Sequence, residues 1–137
     1  MDPRRPYHMA SRDNGGSVLG GAIFETTVDL SHPLLYGYRR PNLSVFRRGT
    51  LFLEPSKNLY ATPILYSNDP LQSGYINKKN LATIKNTASI VVSGSGRGRV
   101  IFMADNTNFR AFWYGTNKIL ANAIFFGHTI SGATIER

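Results

Sequence analysis

Residues 88–103 read ASIVVSGSGRGRVIFM: two β-branched runs, ASIVV (88–92) and RVIFM (99–103), joined by SGSGRG. Branched side chains are stiff about χ1 and suit a pleated surface, whereas glycines accept the backbone angles of a tight turn. The stretch therefore predicts a β-hairpin. A phosphate-cradling loop would follow a strand and open a helix. Here Gly94-Ser95-Gly96-Arg97-Gly98 opens a strand, so the loop reads as a turn. Ser93 and Ser95 lack the strand–turn–helix setting of a nucleophile elbow and read as turn residues too.

Downstream, Asp105-Asn106-Thr107-Asn108 supplies residues that accept the free amide hydrogens of a first helical turn. Phe109, Phe112, Trp113, Ile119, Leu120, Ala123, Ile124 and Phe126 then recur at three- and four-residue spacing before Gly127. This predicts a C-terminal helix that Gly115 divides into a short and a longer piece. Phe102, Phe109, Trp113, Leu120 and Phe125 are the expected core of this region. Helical spacing favours packing over base stacking for the aromatic residues.

Upstream, Ala22–Leu30 (AIFETTVDL) alternates apolar and polar residues and predicts a strand with one wet face, closed by Ser31-His32-Pro33. Leu43–Glu54 offers two β-prone runs hinged at Arg47-Arg48-Gly49. A further strand is expected over Tyr60–Tyr66, irregular at Pro63, then a turn in NDPLQSG (68–74) and a short strand at Tyr75-Ile76. Strands come first and a helix last, without βα alternation. The predicted class is α+β: a mixed, largely antiparallel sheet with a C-terminal helix packed on one face.

At 137 residues, 42% hydrophobic and 12% aromatic, the chain has the material for one core. Residues 1–20, MDPRRPYHM followed by a glycine-rich stretch, read as a vector-encoded leader and flexible linker. Residues 21–130 read as the domain and 131–137 as a tail. Without cysteine, thiolate metal sites, disulfides and cysteine nucleophiles are excluded. No run approaches the roughly 18 apolar residues of a membrane span. His8, His32 and His128 are isolated, and no carboxylates are spaced as a general acid and base. No catalytic, cofactor-binding or metal-ligating residue is therefore assigned.

The net charge of +8, from 16 Lys and Arg against 8 Asp and Glu, raises a polyanion- or nucleic-acid-binding alternative. The basic residues fall in pairs, Arg39-Arg40, Arg47-Arg48, Lys78-Lys79 and Arg97 with Arg99, which read as solvated turns and strand ends rather than a groove. A hydrolase using Asp105 and His32 is a third possibility. Asp105, at the end of a strand, is the leading ligand candidate, with Asn108 and Arg110 beside it.

Residues 98–106 (GRVIFMADN), 108–113 (NFRAFW), 115–118 (GTNK) and 122–126 (NAIFF) also carry a resemblance. With His32-Pro33-Leu34, Phe46–Phe52 and Leu71–Tyr75 in the same order upstream, the chain resembles, over roughly residues 21–128, the C-terminal part of a class I glutamine amidotransferase-like domain. The wording is similar to such domains appended to bacterial zinc carboxypeptidases of the carboxypeptidase A type. The resemblance implies the second half of a flavodoxin-like α/β domain and a noncatalytic accessory role in packing, interdomain contact or substrate positioning. It implies a secreted or periplasmic parent whose zinc and catalytic glutamate lie in a separate peptidase domain. The amidotransferase nucleophile of the family is a cysteine, which this chain lacks. The implied partners are that peptidase domain and, through an uncovered sheet edge, a second copy of the chain; apart from the resemblance, the lack of a long apolar run argues against a membrane and the scattered basic pairs disfavour nucleic acid.

Overall fold

The computed structural model describes residues 4–136. It is an α+β domain built on a five-stranded sheet ordered β2-β1-β3-β4-β5. The strands are β1 (Ala22–Val28), β2 (Asn42–Arg47), β3 (Ile64–Gly74), β4 (Ala88–Ser95) and β5 (Gly98–Met103). The helices are α1 (Ala10–Ser17), α2 (Lys78–Ile84) and α3 (Tyr114–Phe126). Every pairing between named strands is antiparallel, and the parallel contact Ser93–Glu136 is an isolated bridge. The parallel βαβ unit of a flavodoxin-like fold is not formed among the described residues.

Alternation along β1 sends Ala22, Phe24, Thr26 and Val28 inward, as its sequence predicts. The β4–β5 hairpin forms as read, with Gly96 at φ 56° in the turn, where a side chain would be strained. β3 begins immediately after Pro63, which spares the ladder a missing donor. It then runs on through residues 68–74, where turn chemistry predicts a loop. Register shifts opposite Ile23–Thr26 let the strand absorb Pro70, and Leu71 still pairs with Phe24. The segment after Gly49 does not form the second expected strand, contributing a single bridge at Leu53. Tyr75-Ile76 is not a strand either; Ile76 is a buried contact leading into α2. α2 itself was unforeseen: Asn77 caps it by accepting from the Asn80 amide at 2.7 Å.

Two apolar clusters form the core. One joins Leu34, Leu35, Ile64, Ile90 and Val92 to Ile119 of α3. The other joins Phe24, Val45, Tyr66 and Ile84. Packing reaches past both expected ends of the domain: Leu19 belongs to the second cluster, and Ile135 to the first. The Glu136 backbone pairs with β4 through Glu136 N–H to Val92 O (2.8 Å) and Gly94 N–H to Glu136 O (2.9 Å).

α3 begins nine residues after Asp105 rather than beside it. Asp105 and Asn106 cannot cap a helix there. The Asp105 carboxylate accepts from the hydroxyls of Tyr66 and Ser89, and Asn106 Oδ1 accepts from the Asn108 amide in a local turn. A short 3-10 turn over Phe109–Ala111 follows, with Arg110 and Ala111 at φ 50° and 58°. Gly115 sits inside the first turn of α3 rather than dividing it, while the helix does end before Gly127.

The inward face of α3 is Thr116, Ile119 and Asn122. Asn122 Nδ2 donates to the carbonyls of Leu34 and Tyr36, both at 2.9 Å, tying the helix to the chain after β1. Three expected core residues are therefore exposed: Leu120 (39%), Phe125 (70%) and Phe102 (55%). On α3 the buried positions are Thr116, Ile119 and Asn122, which leaves Leu120 and Phe125 on the outer side. On β5, Ile101 and Met103 pack on the core, so alternation turns Phe102 outward. Phe109 and Trp113 are half-buried, and Phe109 stacks on Phe46 at 3.7 Å between ring centroids.

Candidate functional site

The most concentrated polar chemistry lies inside the sheet. Arg47 ends β2 at an inward position, two residues after Val45, and its side chain is 1% exposed. Nη1 donates to the Tyr66 hydroxyl at 2.9 Å and lies 3.5 Å from the Asp105 carboxylate; Nη2 donates to the Leu51 carbonyl. The guanidinium also stands 5.1 Å from the Phe52 ring centre and 5.5 Å from that of Tyr66, within cation–π range. The Tyr66 hydroxyl accepts from Arg47 and donates to Asp105, whose second oxygen takes the Ser89 hydroxyl. Arg47 Nε is buried without a partner.

Burial pushes the Asp105 carboxyl above its ordinary range, opposed by the Ser89 and Tyr66 hydroxyls and by Arg47. Burial is also the main cause that raises the Tyr66 phenol, and the Asp105 charge adds to it. Arg47, Tyr66, Ser89 and Asp105 are all buried, none of them more than 8% exposed. The cluster is closed, and its geometry ties β2, β3, β4 and the segment after β5 together.

The three ligand candidates do not converge. Asp105 faces into this cluster, whereas Asn108 and Arg110 are exposed, Asn108 on a cleft beside α3 and Arg110 over the Phe109 ring at 5.3 Å. His32 belongs to a different neighbourhood. Its Nδ1 accepts from the Leu34 amide at 3.2 Å, capping the 3-10 turn after β1, and burial lowers its pKa against the opposing pull of Asp29. No bond joins His32 to Asp105. No three His, Cys, Asp or Glu side chains gather as a metal site among the described residues, so no residue here is assigned to a metal. Arg47, Tyr66 and Ser89 escaped the sequence reading; the one available signal was the inward phase of Arg47 in the β2 alternation.

The outer surface carries two further features. The exposed side of α3 carries Leu120 and Ile124, one turn apart, and Phe125, with Lys118 beside them. At the far end of the β4–β5 hairpin, Arg97 and Arg99 line two adjoining clefts. Together the sheet, its closed ionic cluster and its apolar outer helix define a small α+β domain with a buried polar keystone. Compared with family models, curated proteins and solved structures, the chain matches none.

Proposed function

We propose that this chain is a noncatalytic accessory domain of a longer zinc carboxypeptidase and that it contacts the peptidase domain through the outer face of α3. The observation that carries the reading is that α3 turns large apolar side chains to the outside as well as to the core. Ile119 is buried at 1% exposure, yet Ile124 and Phe125, on the opposite side, are each 70% exposed. Contiguous exposed apolar surface marks an interaction site. The exposed residues fall within Asn122–Phe126, one of the segments that carry the resemblance to appended carboxypeptidase domains. The same polypeptide is therefore the natural source of the covering surface.

The closed Arg47–Asp105 cluster supports a noncatalytic role, because its titratable groups are spent on one another. The proposal assigns the chain an accessory role and not a flavodoxin-like architecture. Reading the encoding gene upstream of residue 12 tests it. A peptidase domain with a His-x-x-Glu zinc motif in the same reading frame is the expected result, and its absence overturns the proposal.

A further inference from the structure

The turn between β4 and β5 borders two clefts that share Arg97 and Arg99, one of about 330 Å³ against Ala123, Gly127 and His128 at the end of α3 and one of about 630 Å³ against Gly132 and Ile135. His128 is the remaining titratable side chain in their walls, and no carboxylate lines either one. Gly96, Gly98 and Gly132 keep the walls low, so backbone lies close to anything bound there.

Arg99 is not a loose surface cation. Its Nε donates to the Ile130 carbonyl and its Nη1 to the Gly98 carbonyl, each at 3.0 Å. Neutral carbonyls fix the guanidinium without cancelling its charge, and neither Arg97 nor Arg99 forms an ion pair among the described residues. A guanidinium fixed in this way loses little side-chain freedom on binding, and its Nη2, which makes no hydrogen bond among the described residues, can donate to an oxygen of a phosphate or sulfate group. A second arginine in the same concavity adds to a field that no carboxylate among the described lining residues offsets.

We propose that the first of these clefts, lined by Arg97, Arg99 and His128, is a binding site for a small multivalent oxyanion, a phosphate or sulfate group, held by the fixed Arg99 guanidinium together with Arg97 and His128. The site is separate from the outer face of α3 and does not rest on the accessory-domain reading. The group is either free inorganic anion or the charged end of a larger ester, and the two sources give different titrations.

Nitrogen-15 NMR of the chain, titrated with inorganic phosphate, with glucose 6-phosphate and with uncharged glucose, tests the site. Saturable shifts at Arg99 Nε–H and the Gly96 and Gly98 amides are expected with both phosphate probes and not with glucose. Tighter binding of glucose 6-phosphate identifies an ester as the ligand, and equal binding identifies the free anion. Arg97→Ala, at an exposed position, should weaken binding by at least about tenfold, since a charge-assisted contact is lost. Lys79→Ala, an equal change in net charge at α2, should leave it unchanged. Absence of a saturable shift at Arg99, or an equal loss in both variants, overturns the proposal.

Discussion

Arg47 and Asp105 form an ion pair of 3.5 Å with side chains 1% and 3% exposed, reaching from the end of β2 to the segment after β5. A solvent-exposed pair contributes about 0–1 kcal/mol. Inside the sheet the consequence of losing one partner is larger, because the other is left buried and charged. Asp105→Ala should therefore destabilise the fold by about 3–5 kcal/mol. Tyr66→Phe, which removes only the bridging hydroxyl, should cost about 1–3 kcal/mol. Urea unfolding of the two variants checks both size and order; equal, small losses would show that the cluster contributes little.

The same cluster sets a pH dependence. Burial raises the folded-state pKa of Asp105, so its contribution to stability is fully present below the unfolded value and is lost as pH rises through the folded one. Wild type should gain stability relative to Asp105→Asn as pH is lowered from neutral towards about 4. A relative loss over that interval would mean that Arg47 outweighs burial.

For His32 the sign is reversed. Its folded pKa is lowered by burial, so its contribution is present above the ordinary histidine value and is lost as pH falls through the folded one. The His32 ring proton signals in NMR should titrate with a midpoint below 6.5, the ordinary value. A midpoint above it would place the ring in contact with Asp29 and water rather than in the core.

The two sides of α3 should answer substitution differently. Ile119→Ala, in the core, should cost about 2–5 kcal/mol. Phe125→Ser, on the outer face, should change the stability of the isolated chain by no more than about 0.5 kcal/mol while improving its solubility. Thermal or denaturant unfolding of the pair is sufficient to tell.

The C-terminal segment offers a steric test. A Cβ on Gly94 would lie 2.7 Å from Ile135 Cδ1, too close for either to stay in place. Gly94→Ala should cost about 1–3 kcal/mol, the range for overpacking, and pairing it with Ile135→Ala should give less than the sum of the two single losses. Strict additivity would mean that Ile135 does not pack on β4.

Much of the sheet was legible in local pattern. Alternation in Ala22–Val28 and the glycine turn between residues 88–92 and 99–103 correspond to β1 and to the β4–β5 hairpin, and Gly127 marks the end of α3. What local pattern could not supply was competition from distant residues. Asp105 has the chemistry of a helix cap, but Tyr66 and Ser89 claim its oxygens, and the helix starts at Tyr114 instead. The turn-rich NDPLQSG is held extended by pairing with β1. Phe102 and Phe125 are apolar residues on the outward phase of their elements, which hydrophobicity alone assigns to a core. The Arg47 cluster was hidden for the same reason: an Arg-Arg-Gly sequence reads as a turn until a strand turns one arginine inward.

Hydrogen exchange together with side-chain footprinting of the complete encoded polypeptide tests most directly the proposed covering of the outer face of α3. Ile124 and Phe125 should be protected in the full-length protein and reactive in this isolated chain, with the inward residue Ile119 protected in both. Equal reactivity of Ile124 and Phe125 in the two would contradict the account.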